Sequence, residues 1–385
     1  MTTSFTPRVA GAALAALLAL TSACSVPATP PAPAERPLAD GRLMSPEPVA
    51  LNVWYMRQPP RTWSAVIGNV GIVEQSDGVV LIDSGGSIPD GREIVAAVAR
   101  LTAKPIKAVV VTHWHNDHPL GLPAILEKFP RARIIATTAT ARLMADPEVL
   151  GVGVGAPDPE RRKQRAGAAA ERSAGYRQRA QDPSLPEAVR GEYAAEAKWV
   201  MTRVQRQDGN YVVVPSETFT STLLIDDPVA PVQLLFLGRA NTKGDAFAWL
   251  PRQKVMMTGD AVVLPTPYGF VGPIAPWLAT IERLQRYDFK LLIPGHGTVQ
   301  RDRAYLATLT WSMEDIRCQA AGLARTVSTP EQALARFDRS EHIRRFKADN
   351  QWKREWLDGY WLDGMVETAF KQAKGITLEQ RPDGG

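Results

Sequence analysis

The chain has 385 residues, with 45 Lys and Arg against 40 Asp and Glu, a formal charge of +5, 45% apolar and 22% charged residues. This is an ordinary globular composition, long enough for one large domain with additions or for two, and it excludes a disordered or collagen-like chain. The charge is too dilute to point to nucleic acid, and two cysteines build neither a disulfide framework nor a thiolate zinc cluster, so a metal would fall to carboxylates and the five histidines.

In chain order, residues 1–23 read as a signal peptide: Arg8 precedes the apolar run Val9 to Leu20, which is too short to span a bilayer comfortably. Thr21-Ser22-Ala23-Cys24 is similar to a bacterial lipobox, with Thr where Leu is usual. Two processings follow: acylation of Cys24 as a membrane tether, or plain cleavage nearby. Both place the protein outside the cytoplasm, periplasmic or exported, and the first anchors it by lipid. Residues 24–48 form a Pro-rich linker, with five prolines between Pro27 and Pro37.

From about residue 49 to 300, strands and helices alternate. Val79 to Asp83 reads as a buried strand that ends in Ser84-Gly85-Gly86. Asp90 and Glu93 suggest a capped helix carrying Ile94, Val98 and Leu101 on one face. Ile106 to Thr112 is a β-branched run expected in a sheet interior. Further strands are expected at 134–135, 211–214, 232–237, 246–250, 255–258 and 291–293.

Two segments break this rhythm. Residues 156–208 read as two helices inserted into the strand-rich domain and separated at Pro183-Ser184-Leu185-Pro186. The first is basic, with Arg161, Arg162, Lys163, Arg165, Arg172, Arg177 and Arg179. A solvated face is the plain reading; a lid, or a patch for an acidic substrate or anionic headgroups, is the alternative. Residues 301–385 read as a C-terminal helical extension in which Trp352, Trp356 and Tyr360 share one face, as core residues do.

Chemistry concentrates where the strand at 106–112 ends, in His113-Trp114-His115-Asn116-Asp117-His118. Alternation in extended chain puts His113, His115 and Asp117 on one side and leaves His118 pointing elsewhere. Imidazole and carboxylate are the ligands Zn²⁺ accepts when thiolates are absent. His296 stands exposed on a tight turn, Pro294-Gly295-His296-Gly297. Only His342 falls outside these motifs.

The series as a whole resembles the metallo-β-lactamase fold superfamily over roughly residues 50–300. Asn69 in an early strand, Leu81 to Gly85, the His113–His118 signature, Gly238 to Asp245, Thr258-Gly259-Asp260 and His296 occur in the family's order. The resemblance implies a four-layer α/β architecture, an αββα sandwich, with the site in loops along one edge. It implies a first metal on His113, His115 and the position of residue 241, and a second on Asp117, His118 and His296. Asp260 bridges them in that scheme, and a metal-activated hydroxide attacks the substrate while Asp117 orients it and carries a proton. The expected cofactor is Zn²⁺, one or two ions, with other divalent metals as substitutes.

At one position the chain departs from the pattern: residue 241 is Asn, a poorer zinc ligand than imidazole. Three outcomes follow: weak ligation by Asn241 in a two-metal enzyme, an enzyme with only the second metal, or metal binding without catalysis. The Thr-Gly-Asp motif is similar to the thioesterase (glyoxalase II) and lactonase branches. Tyr268 reads as a substrate-pocket residue or as a packed loop aromatic. The expected protein is an exported hydrolase of a small ester, lactone, thioester or amide; the alternative is a periplasmic metal-binding or accessory protein of the same fold without turnover.

Overall fold

The strands form two sheets whose apolar runs follow from burial on both faces. In chain order they are β1 (Glu47–Ala50), β2 (Val53–Met56), β3 (Val70–Glu74), β4 (Val79–Ile82), β5 (Ile106–Val110), β6 (Arg133–Thr137), β7 (Gly153–Val154), β8 (Tyr211–Val212), β9 (Glu217–Phe219), β10 (Thr222–Ile225), β11 (Val232–Leu235), β12 (Phe247–Leu250), β13 (Val255–Met257) and β14 (Leu291–Ile293). The first sheet runs β1-β2-β3-β4-β5-β6-β9 and the second β10-β11-β12-β13-β14, while β7 and β8 pair with each other. The helices are α1 (Ile88–Leu101), α2 (Leu122–Lys128), α3 (Thr138–Met144), α4 (Pro147–Leu150), α5 (Pro159–Ala180), α6 (Glu187–Arg206), α7 (Ile274–Gln285), α8 (Ala304–Leu323), α9 (Pro330–Arg336), α10 (Ser340–Arg345), α11 (Gln351–Leu357) and α12 (Asp363–Ala373). A π-helical segment, Asp358–Leu362, joins the last two.

This computed structural model describes residues 43, 45–58, 67–269 and 272–376. The leader over 1–23 and Cys24 lie outside the described residues, as does most of the linker over 24–48. No helix among the described residues is long and apolar enough to cross a membrane.

Alternation along each strand feeds two different cores. Val79 and Leu81 of β4 pack under α1 and α2, whereas Val80 and Ile82 face the second sheet. On the other side, Val255 and Met257 of β13 face the first sheet and Met256 packs under α7 and α8. Three stacked cores between four layers make an αββα sandwich, with a helical insertion, α5 and α6, and a C-terminal helical extension from α8 onward. The second insertion helix spans two of these cores: Val189 and Tyr193 join one and Trp199 another. Its end is held to α1, where the Arg206 guanidinium donates to Asp90 and, at 3.2 Å, to Glu93.

The structure corrects several local expectations. The cap of α1 is Ser87, whose hydroxyl accepts from Asp90 N–H, and not Asp90 itself. β5 stops at Val110, two residues short, because the chain must leave the sheet to build the histidine turn. Asn69 precedes β3 and does not belong to a strand; its amide donates to Pro294 O and Gly297 O, both at 2.9 Å, and so ties two loops together.

His342 is fully buried away from the site. Its ring lies 3.1 Å from Ser312 Oγ and 2.9 Å from Asp315 Oδ2, and Trp361 Nε1–H donates to the same serine at 2.8 Å. This network knits α8, α10 and the π-helical segment together.

Candidate metal centre

Each functional side chain is placed by a strand end. β4 hands over to Asp83, whose φ of 66° lies in the left-handed region. Aspartate tolerates that region better than most residues, at a cost of about 1 kcal/mol. The turn aims its carboxylate across to the next strand's exit: Oδ1 accepts from Thr112 N–H and Oδ2 from Thr112 Oγ1, each at 2.8 Å, and Oδ2 also lies 2.8 Å from His118 Nδ1. The Nδ1 proton of His118 therefore belongs to Asp83, which leaves Nε2 as a bare donor atom aimed into the site.

The alternation argument fails after His115. The chain does not stay extended but turns, with His118 N–H donating to His115 O at 3.0 Å, and this swings His118 to the same side as its neighbours. Serine 84 then clamps the turn, its N–H and hydroxyl both donating to His118 O at 2.8 Å. Gly68 packs so closely on the His118 ring that any Cβ there would collide with it.

The two halves of the chain meet at Asp260, in the turn after β13. Its Oδ2 lies 3.6 Å from His113 Nε2, while Oδ1 lies 3.3 Å from His118 Nε2 and 3.4 Å from His296 Nε2. Asp117 Oδ2 completes the second cluster at 3.1 Å from His296 Nε2. His113 Nε2 and His115 Nδ1 are 2.9 Å apart. Two groups could thus hold a cation: His113, His115 and Asp260, and Asp117, His118 and His296, the ligand atoms of each lying within 4.8 Å of one another. Asn241 stands beside the first, its amide 3.5 Å from Asp260 Oδ2. The loop carrying it is closed by Asp245, which accepts from Ala240 N–H, Thr242 N–H and the Thr242 hydroxyl.

Charge in the cluster is internally balanced. Burial disfavours an imidazolium, yet Asp260, Asp117 and Asp83 push His118 well up, and Asp260 with Asp117 pushes His296 up to about 9. Burial and the neighbouring His118 charge push His113 well down. Burial works against ionised Asp117 and Asp260 as well, but the facing histidines hold both well below the usual carboxylate range. His118 Nε2, His296 Nε2 and Asp260 Oδ1 are nevertheless buried without a hydrogen bond. Buried polar atoms are normally satisfied, so three convergent orphans in a set of imidazoles and carboxylates fit a divalent cation such as Zn²⁺.

Above the centre opens a cavity of about 380 Å³ lined by Trp114, Asn116, Tyr268, Tyr360, Arg172 and Arg203 along with the metal-group residues. Tyr268 is buried, its ring 5.4 Å from that of His296 and 5.3 Å from that of Tyr360. Trp352 and Trp356 are core, as their spacing suggests, but Tyr360, one turn on, reaches the cavity. Arg203 and Tyr360 escaped the sequence reading: one lies outside the basic helix α5, and the other sits in a stripe whose first members are core.

A buried His/Asp cluster on one edge of an αββα sandwich defines a class of metal-dependent hydrolases. The model of the metallo-beta-lactamase superfamily matches residues 63–296, and the chain belongs to that superfamily. Among curated proteins, a linear primary-alkylsulfatase of Pseudomonas sp. (strain ATCC 19151) is 23% identical over 236 residues, which cover 59% of this chain and 40% of that protein. An atrochrysone carboxyl ACP thioesterase of Aspergillus terreus is 33% identical over 51 residues, 13% of this chain and 16% of that protein. A solved stereoselective inverting sec-alkylsulfatase from Pseudomonas sp. superposes with a TM-score of 0.59 at 18% identity, covering 88% of this chain and 51% of the other. The chain spans about half or less of the length of these relatives, and the superposition speaks for the fold.

Proposed function

We propose that the protein is an exported, zinc-dependent hydrolase of a small-molecule ester-type substrate, with Asp260 shared between two metal positions. The observation that carries this reading is the divided carboxylate of Asp260, one oxygen facing His113 and the other facing His118 and His296. His113 and His115 would hold the first ion with Asn241 as a weak oxygen ligand, and Asp117, His118 and His296 the second.

Bound there, the ions supply Lewis acidity and lower the pKa of a coordinated water toward neutrality. The protein's own groups do the rest. Asp83 fixes the ring of His118, Asp117 accepts and relays the proton of the attacking water, and the walls at Trp114 and Tyr268 limit solvent. In the overall reaction water adds across the scissile bond, its oxygen to the acyl or sulfuryl centre and a proton to the leaving group. An alkylsulfatase and a thioesterase among the relatives support an ester or thioester as substrate, with a lactone or amide as the related choices. Export, with Cys24 as a lipid anchor, rests on the N-terminal sequence.

Metal analysis of the purified chain, combined with a panel of chromogenic lactone, thioester, sulfate-ester and β-lactam substrates, tests the reading. Turnover abolished by a chelator and by Asp117→Ala is expected. A metal-loaded protein silent across the panel sinks it in favour of a metal-binding accessory role.

A further inference from the structure

Several arginines of the helical insertion have acidic partners: Arg161 pairs with Glu148, Arg162 with Asp208 at 2.5 Å, Arg179 with Glu355, and Arg206 with Asp90 and Glu93. Arg172 on α5 and Arg203 on α6 line the cavity above the metal centre, and neither guanidinium has an ion pair or hydrogen bond among the described residues. The same two arginines continue into an adjoining chamber of about 110 Å³, whose walls include Ala169, Trp199, Val204 and Trp356. Arg165 also lines that chamber, and burial together with the Arg203 charge brings its guanidinium down to about 10. Against these three cations the chamber presents one carboxylate, Glu196. The cavity over the centre adds Asp117 and Asp260, both of which face the candidate ligand histidines.

Arg172 is exposed and Arg203 half-buried, so their charges stay hydrated, and Arg165 is held by Gln207 Oε1; what sets Arg172 and Arg203 apart is that both line the cavity over the metal-group residues and the aromatic-walled chamber beside it. Arginine's fork suits a planar or tetrahedral oxyanion, and the apolar walls suit a hydrocarbon group.

We propose that Arg172 and Arg203 form an oxyanion-recognising clamp, carried by the insertion, that selects amphiphilic substrates bearing a sulfate or carboxylate near the scissile bond. The inference rests on the hydrolase reading for the word substrate, but the clamp itself is a binding site that operates without turnover. Under it the insertion is the specificity element of the site: the strands supply the chemistry and the two helices choose what enters. The oxyanion has two sources, the scissile group itself in a sulfate ester or a separate carboxylate on a carboxylic ester.

The first experiment measures binding by calorimetry, using decyl sulfate, decanoate and neutral decanol below their aggregation concentrations. It compares wild type, R172Q/R203Q and the outer variant R162Q, each with and without zinc. Wild type and R162Q are expected to bind the anions at least tenfold more tightly than R172Q/R203Q, with an affinity that weakens as salt rises. Equal anion affinity in R172Q/R203Q and wild type overturns the clamp, as does decanol binding as tightly as the anions.

The second experiment compares p-nitrophenyl sulfate, p-nitrophenyl hemiglutarate and p-nitrophenyl butyrate as substrates. The double variant is expected to lose at least tenfold more kcat/KM on an anionic ester than on the butyrate, chiefly through KM. The anionic ester that shows this loss identifies the source of the oxyanion. A uniform loss on all three overturns the clamp. Silence on all three in wild type, with anion binding intact, defeats the hydrolase reading and leaves the clamp standing.

Discussion

The two halves of the metal centre are built to different standards. The group of Asp117, His118 and His296 is the more heavily braced: Asp83 holds His118, Ser84 clamps its carbonyl, and Asn69 ties the loop before β3 to the His296 loop. The group of His113 and His115 shares Asp260 and is more lightly braced, with Thr112 Oγ1 3.1 Å from His113 Nδ1, and beside it stands Asn241, at the position where the family resemblance leads one to expect a third imidazole. Ligand count alone would make these groups near equals; bracing makes them unequal, because orientation of ligands by outer partners is worth tenfold to a hundredfold in metal affinity. The second group is expected to hold its ion tightly and the first loosely.

The largest test of that asymmetry is His118→Ala against His115→Ala. The first is expected to cost about a thousandfold or more in kcat/KM and the second markedly less, read by steady-state kinetics on whichever substrate the panel yields. Equal losses would erase the distinction between the halves. Asp83→Ala comes next: loss of the brace should weaken the tightest metal equivalent by about tenfold to a hundredfold in chelator competition, with the ligand set unchanged.

Asn241→His sharpens the comparison from the other side. It should raise metal stoichiometry toward two and tighten the weaker equivalent by about tenfold. If wild type already binds two ions with the same high affinity, the account of the first group is wrong. The smallest effect on metal is expected for His342→Ala, far from the centre. It should destabilise the C-terminal helices by about 2 kcal/mol, from loss of a buried hydrogen-bonded network, and leave metal content within error. Chemical denaturation and metal analysis on the same samples check both halves of that statement.

How much of this was legible beforehand varies with distance along the chain. His113, His115, Asp117 and His118 lie within six residues, and their spacing after a β-branched run announces a ligand cluster. Even there the alternation rule placed His118 wrongly, because a turn and not a strand continues past His115. His296 was recognisable by its Gly-flanked turn and Asp260 by the resemblance of Thr258-Gly259-Asp260 to the family's motif, but which oxygen of Asp260 faces which histidine follows from how two sheets stack.

The walls of the cavity were harder to foresee. Arg172 was one of seven basic residues on a helix whose plain reading was a solvated face, and only packing shows which of them have acidic partners. Arg203 and Tyr360 come from α6 and from the π-helical segment 358–362, far from any ligand in sequence.

The sequence by itself determined the alternation of strands and helices and the imidazole-and-carboxylate character of the cluster, since periodicity and residue type are local properties of strands and turns, while the superfamily and its αββα layering came from the resemblance of its motifs. The tertiary structure decided which arginines line the cavity over the candidate metal groups and how those groups divide into a more and a less heavily braced half. Those outcomes depend on side chains brought together from distant segments, where burial and hydrogen-bond partners arise only once the layers are packed.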